Sequence, residues 1–133
     1  MNNICENFRQ IIINSLEDIK NLKNKTIQKS DNSFVSEGDL LVQKLITQEI
    51  KDNYSNYFLI SEENDHKEKW KDYNDFIVLD PIDGTDNFIS GMKEWGVGIS
   101  VFKNKKHVES MIFLPDMDIT LKSGDKVKKI NPE

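Results

Sequence analysis

The chain has 133 residues, 37% hydrophobic and 31% charged, with 23 acidic against 18 basic side chains and a net charge of −5. That is enough chain for one ordinary domain, with the composition of a globular rather than a disordered protein. A mildly acidic domain has no electrostatic footprint for nucleic acid, the lone Cys5 rules out an intramolecular disulfide, and no run reaches the roughly 18 apolar residues of a membrane span.

Taken in chain order, the first residues (Met1-Asn2-Asn3-Ile4-Cys5-Glu6) lack the basic start and apolar stretch of a signal peptide, so a reduced cytoplasm is the expected compartment. Residues 4 to 24 read as one amphipathic helix, with Ile4, Phe8, Ile11, Ile12, Leu16, Ile19 and Leu22 at three- and four-residue steps. Lys25 to Ser33 is a polar loop or hairpin tip. A second helix is predicted over 37–53 with a stripe of Leu41, Leu45, Ile46 and Ile50; Ser36-Glu37-Gly38-Asp39 has the spacing of a capping box.

After that the period changes. Tyr57-Phe58-Leu59-Ile60 is a short strand ending in Ser61-Glu62-Glu63, and residues 64 to 75 form a polar surface loop. Phe76-Ile77-Val78-Leu79 is a continuous apolar run of the kind covered on both faces, and it too ends in an acid, Asp80. Beyond Asn87 the strands Trp95 to Phe102 and Val108 to Leu114, joined through Lys103 to His107, predict a hairpin, with a further short strand at Asp118 to Leu121. Two helices followed by a mostly antiparallel sheet make an α+β domain.

The chemistry concentrates where the two apolar strands end. Adjacent strands ending at one edge bring Glu62, Asp80 and Asp83 together, and carboxylates at close quarters raise one another's pKa unless a cation lies between them. An all-oxygen donor set suits a hard ion such as Mg²⁺. Pro81 fixes its φ and so turns Asp80 and Asp83 toward one point, while Gly84 permits a tight turn. Thr85 and Asp86 then open a helical turn whose N–H groups can take phosphate oxygens. In isolation, Asp-Gly-Thr-Asp-Asn is an ordinary turn with an Asx cap, and Asp39 stands between two roles, helix cap and metal-shell residue. An EF-hand is excluded, since starting at Asp80 puts Ile82 in the third ligand place and starting at Asp83 puts Phe88 where glycine belongs. Zinc is excluded as well, because His66 and His107 lie far apart and read as surface residues.

Asp80-Pro81-Ile82-Asp83-Gly84-Thr85-Asp86-Asn87-Phe88 closely resembles the Asp-Pro-(Ile/Leu)-Asp-Gly-Thr-x-Asn-Phe signature of the inositol monophosphatase family. Ile60-Ser61-Glu62-Glu63 is similar to the family's Ile-Gly-Glu-Glu step, and Val35-Ser36-Glu37-Gly38-Asp39 to its Val-Thr-x-x-Asp helix start. The resemblance implies the first lobe of the inositol monophosphatase/fructose bisphosphatase-like fold across residues 1–133. It implies two or three Mg²⁺ ions, with Glu62, Asp80 and the Ile82 carbonyl on the first, Asp80 and Asp83 on the second, and Asp39 in a third, weaker metal or hydrogen-bond shell. Thr85 would position the attacking water, Glu62 or Asp39 would accept its proton, and the backbone of Gly84, Thr85 and Asp86 would hold the phosphate. The implied reaction is direct in-line attack by metal-bound water on the phosphate monoester of a small metabolite.

Family members are roughly twice as long, and their second lobe adds a metal-ligating Asp in a Trp-Asp motif; here Trp70 precedes Lys71 and Trp95 precedes Gly96. Asp86 replaces the commoner Thr, and Ser36 replaces Thr. The expectation is a fragment of a longer enzyme, ahead of a half that needs a partner chain or an inactive relative, with weak or no activity on its own. The competing reading is a non-catalytic metal-binding or dimerisation module, and the expected associations are a homodimer or the missing second lobe. Inositol phosphate, 3′-phosphoadenosine 5′-phosphate, fructose bisphosphate, histidinol phosphate and NADP phosphatases share these motifs, so the substrate stays open.

Overall fold

The computed structural model describes residues 3–63 and 67–126, the side chains of 67 and 68 excepted. Where one long helix was expected, two short ones form, α1 (Ile4–Asn14) and α2 (Leu16–Asn21). The chain tightens at Ser15, whose N–H reaches back only three residues to Ile12 at 3.1 Å; serine is a poor mid-helix residue because its hydroxyl competes for backbone groups. Both helices still bury the expected face, through Ile4, Phe8, Ile12 and Ile19.

The polar segment after α2 is a hairpin tip, as expected, carried by β1 (Thr26–Gln28) and β2 (Phe34–Ser36), which pair only with each other. Asn32 takes the left-handed conformation, and the Asp31 carboxylate accepts from the Ser33 N–H at 3.0 Å, the Asx geometry that closes such tips. β2 runs directly into α3 (Glu37–Asn53). Its core stripe is centred on Val42, Ile46 and Ile50, while Leu41 and Leu45, assigned to the stripe from sequence, lie at its half-buried flanks.

The main sheet has the order β3-β4-β5-β6-β7, from β3 (Phe58–Ser61), β4 (Phe76–Asp83), β5 (Gly96–Lys103), β6 (Lys106–Leu114) and β7 (Ile119–Lys122). Only β3 and β4 are parallel. The hairpin between β5 and β6 is tighter than expected, a two-residue turn of Asn104 and Lys105 with φ of 54° and 61°. That left-handed pair matches the twist of the flanking strands. Of the predicted surface loop, residues 64–66, and with them His66, lie outside the described residues, and 67–72 form a 3₁₀ turn.

Ile77, Leu79, Val97, Ile99, Val101, Met111 and Phe113 face the helices and are buried with Phe8, Ile12 and Ile46 in one core. The apolar run in β4 is covered on its second face only in part: there Phe76 is buried against Trp70 and Phe102, while Val78 is 36% exposed. β4 lies between a parallel and an antiparallel neighbour; α1 and α3 pack on its core side, and the 3₁₀ turn at 67–72 meets the other side through Trp70, whose ring lies 5.6 Å from that of Phe76. No described helix is long and apolar enough to cross a membrane.

Candidate active site

Strand register assembles the site. Ser61 stands opposite Leu79 in the parallel β3–β4 pair, so the next residues, Glu62 and Asp80, lie side by side where β3 ends. β4 continues past Asp80 to Asp83, and against β5 its register slips between Asp80 (opposite Gly98) and Asp83 (opposite Gly96). Three steps on one strand against two on the other is a bulge, and Pro81 sits inside it, where a missing N–H removes no ladder hydrogen bond. Residues three apart on a regular strand point to opposite faces; the bulge resets that alternation, and Asp80 and Asp83 line the same cleft.

That cleft has a volume of about 500 Å³ and is walled by Glu62, Glu63, Asp80, Ile82, Asp83 and the segment from Gly84 to Asn87, with the β1–β2 hairpin tip on the opposite side. Gly84 turns the chain with φ of 82°, and a Cβ there would stand 2.9 Å from the Glu94 carbonyl. α4 (Thr85–Ile89) follows and is anchored by Phe88, which is buried against the Trp95 ring at 4.8 Å and against Gly38 of α3. Asn87 donates to the Glu94 carbonyl at 2.7 Å and ties down the loop after the helix.

The two roles left open for Asp39 resolve into one network. Its Oδ2 accepts from the Ser36 N–H at 3.0 Å and from the Ser36 hydroxyl, completing the capping box of α3. Its Oδ1 accepts from Thr85 Oγ1 at 3.0 Å. Asp39 is 1% exposed. Burial raises its pKa, and the hydrogen bonds from Ser36 and Thr85 only partly offset this. Thr85 Oγ1 also lies 3.1 Å from the Ile82 carbonyl oxygen.

Asp80 is the strained member. Its Oδ1 is buried and has no hydrogen-bond partner. Its pKa is raised from 3.8 to about 7, first by burial, then by the Glu62 charge and a hydrogen bond with that carboxyl, then by Asp83 and Asp39. Glu62 and Asp83 are exposed at the mouth. Among the described residues no three acidic, histidine or cysteine side chains are already gathered into a metal-ligand set. The structure therefore pairs Glu62 with Asp80, sets Asp83 in the same cleft, and leaves Asp39 one step behind, against Thr85.

Lys29 is the basic member of the wall, reaching Glu63 Oε1 at 3.0 Å from the hairpin tip. Nothing in the sequence spacing pairs Lys29 with Glu63, 34 residues away.

The model describing the inositol monophosphatase family matches residues 2–129. The chain belongs to this family. Among its family relatives, the 3′(2′),5′-bisphosphate nucleotidase CysQ of Haemophilus influenzae is 32% identical over 117 residues, covering 77% of this chain and 42% of the relative. The Nus factor SuhB of Vibrio cholerae is 36% identical over 104 residues, covering 73% of this chain and 36% of the relative. The fold matches a calcium-bound inositol monophosphatase family protein from Staphylococcus aureus with a TM-score of 0.77 at 18% identity, over 90% of this chain and 46% of that one. The chain thus spans less than half the length of these relatives.

Proposed function

We propose that this chain forms the cation- and phosphate-handling part of a phosphate monoester hydrolase acting on a small phosphorylated metabolite. The observation that carries the reading is the buried, unpartnered Oδ1 of Asp80, set by register beside Glu62. Such an oxygen is costly to bury unless a proton or a cation satisfies it. The donors around it, the carboxylates of Glu62, Asp80 and Asp83 and the carbonyl of Ile82, are all oxygen and fit Mg²⁺ rather than a soft metal. When bound, divalent cations supply positive charge to the phosphate oxygens and acidify water. The name of the CysQ relative supports a phosphorylated small molecule as substrate, and the calcium-bound S. aureus protein supports a divalent cation.

The remaining tasks fall to the chain's own groups. Thr85 Oγ1 donates its proton to Asp39 Oδ1, which leaves its lone pairs to accept from a water in the cleft and aim it. Asp39, held by Ser36 and kept out of solvent, takes up the proton that this water loses, with Glu62 the alternative acceptor. The backbone N–H groups of Gly84, Thr85 and Asp86 hold the phosphate, since the first N–H groups of a helical turn have no partner within it. The Asp86 side chain lines the same cleft.

The test is calorimetric titration of Mg²⁺ into the 133-residue chain and into Asp80→Asn at pH 8. The parent is expected to bind and the variant not; unchanged affinity in the variant refutes the site. Phosphate release by the chain alone is expected to be weak or absent. With a second-half polypeptide of a relative supplied, hydrolysis that survives Asp83→Asn would count against the assigned residues.

A further inference from the structure

A second charged hollow lies at the other end of α4. It is about 150 Å³ in volume and is bounded by Lys20, Lys23 and Lys93, with Trp95 and Asp116 at its floor and Gly91 on its wall. Three cations converge here in a chain whose net charge is −5. The single carboxylate among them is already committed. Asp116 Oδ1 accepts from Lys20 Nζ at 2.7 Å, and Oδ2 accepts from the Trp95 indole N–H at 2.7 Å. Burial works against ionising Asp116, but these two hydrogen bonds and the charges of Lys20 and Lys93 outweigh it and hold the carboxyl below its ordinary range. Lys23 and Lys93 have no ion-pair partner among the described residues. Gly91 ends α4 with φ of 78°, and a Cβ there would stand 3.5 Å from Lys23 Nζ. That is an ordinary contact distance, so the Lys23 ammonium lies beside the wall at Gly91.

We propose that this hollow is an anion site, separate from the cleft, that takes a small tetrahedral oxyanion of the inorganic phosphate class between Lys23 and Lys93. Its size sets the class of ligand. At roughly 30 Å³ per water the hollow holds about five, ample for four oxygens around one centre and well below the roughly 300 Å³ at which sites for larger ligands begin. Its charge sets the sign, because the Asp116 carboxylate balances one ammonium and leaves two. α4 has five residues, about 7 Å of helix, and its first turn lines the cleft while its last faces the hollow. An anion held here sits one short helix away from the cleft. The assignment does not depend on the cleft being catalytic.

Trp95 provides the readout. The sequence has two tryptophans, Trp70 and Trp95, and Trp95 lies in the floor of the hollow with its indole N–H on Asp116. Inorganic phosphate is titrated into the metal-free chain at constant ionic strength, with the two indole N–H signals followed by NMR. The Trp95 signal is expected to move saturably while that of Trp70 stays still. The double variant Lys23→Gln/Lys93→Gln is expected to bind about tenfold or more weakly, as two charge-assisted contacts are lost. Asp83→Asn, in the cleft, should leave the Trp95 response intact. The proposal is overturned if chloride reproduces the shift, if the double variant keeps the parent midpoint, or if Asp83→Asn abolishes the response. The comparison of phosphate with chloride on the parent chain decides the matter even without a variant.

Discussion

Replacing Asp80 by asparagine should stabilise the metal-free protein while removing its affinity for Mg²⁺. The folded state raises the Asp80 pKa from 3.8 to about 7, so between those values the native chain holds a proton that the unfolded chain has lost. The native state binds more protons there, and stability falls as pH rises from about 4 to about 7, then levels off. Three pH units at 1.36 kcal/mol each set a ceiling of about 4 kcal/mol; solvent screening of this half-buried carboxyl reduces it to about 1–2 kcal/mol. Asparagine keeps the shape and never ionises. Urea denaturation in chelator at pH 4 and pH 8 is the assay. At pH 8 the variant should be more stable than the parent by about 1–2 kcal/mol, and at pH 4 the gap should nearly close. Added Mg²⁺ should reverse the order at pH 8 by stabilising only the parent. A gap independent of pH, or a variant less stable at pH 8, would refute the argument that Asp80 is held under electrostatic load.

Three further outcomes test the supports of the site. Gly38→Ala puts a Cβ 2.8 Å from two ring atoms of buried Phe88 and 3.1 Å from the Ile19 carbonyl oxygen. Overpacking of about 1–3 kcal/mol should exceed the gain of up to about 1 kcal/mol in helix propensity, giving net destabilisation in urea. Thr85→Val leaves Asp39 Oδ1 buried without its donor, which should cost about 1–3 kcal/mol by the same assay and remove hydrolysis wherever the parent shows it. Lys29→Met breaks the contact with Glu63 and takes a positive charge from the cleft wall; stability should change by less than about 1 kcal/mol, while calorimetry at low salt should show tighter Mg²⁺ binding.

Much of this protein was legible in its letters because local physics wrote it there. The faces of α1 and α3, the capping box at Ser36 and Asp39, the hairpin tip at 25–33 and the end of β3 before Glu62 follow from periodicity, caps and turn residues that act within a few positions, whereas β4 runs past its expected end at Asp80 to Asp83. The Asp-Pro-Ile-Asp-Gly-Thr run carries the family resemblance by itself, and the family model agrees. Other features were decided only by packing between distant segments. The exposure of Val78 depends on what covers it, which periodicity does not report. The Asp39–Thr85 hydrogen bond spans 46 residues and the Lys29–Glu63 pair 34. No spacing rule connects positions that far apart; the sheet register and the seating of Phe88 against Gly38 bring the first pair together. The load on Asp80 belongs to the same class, because a pKa depends on burial and on neighbouring charge, and both exist only once β3 and β4 lie side by side.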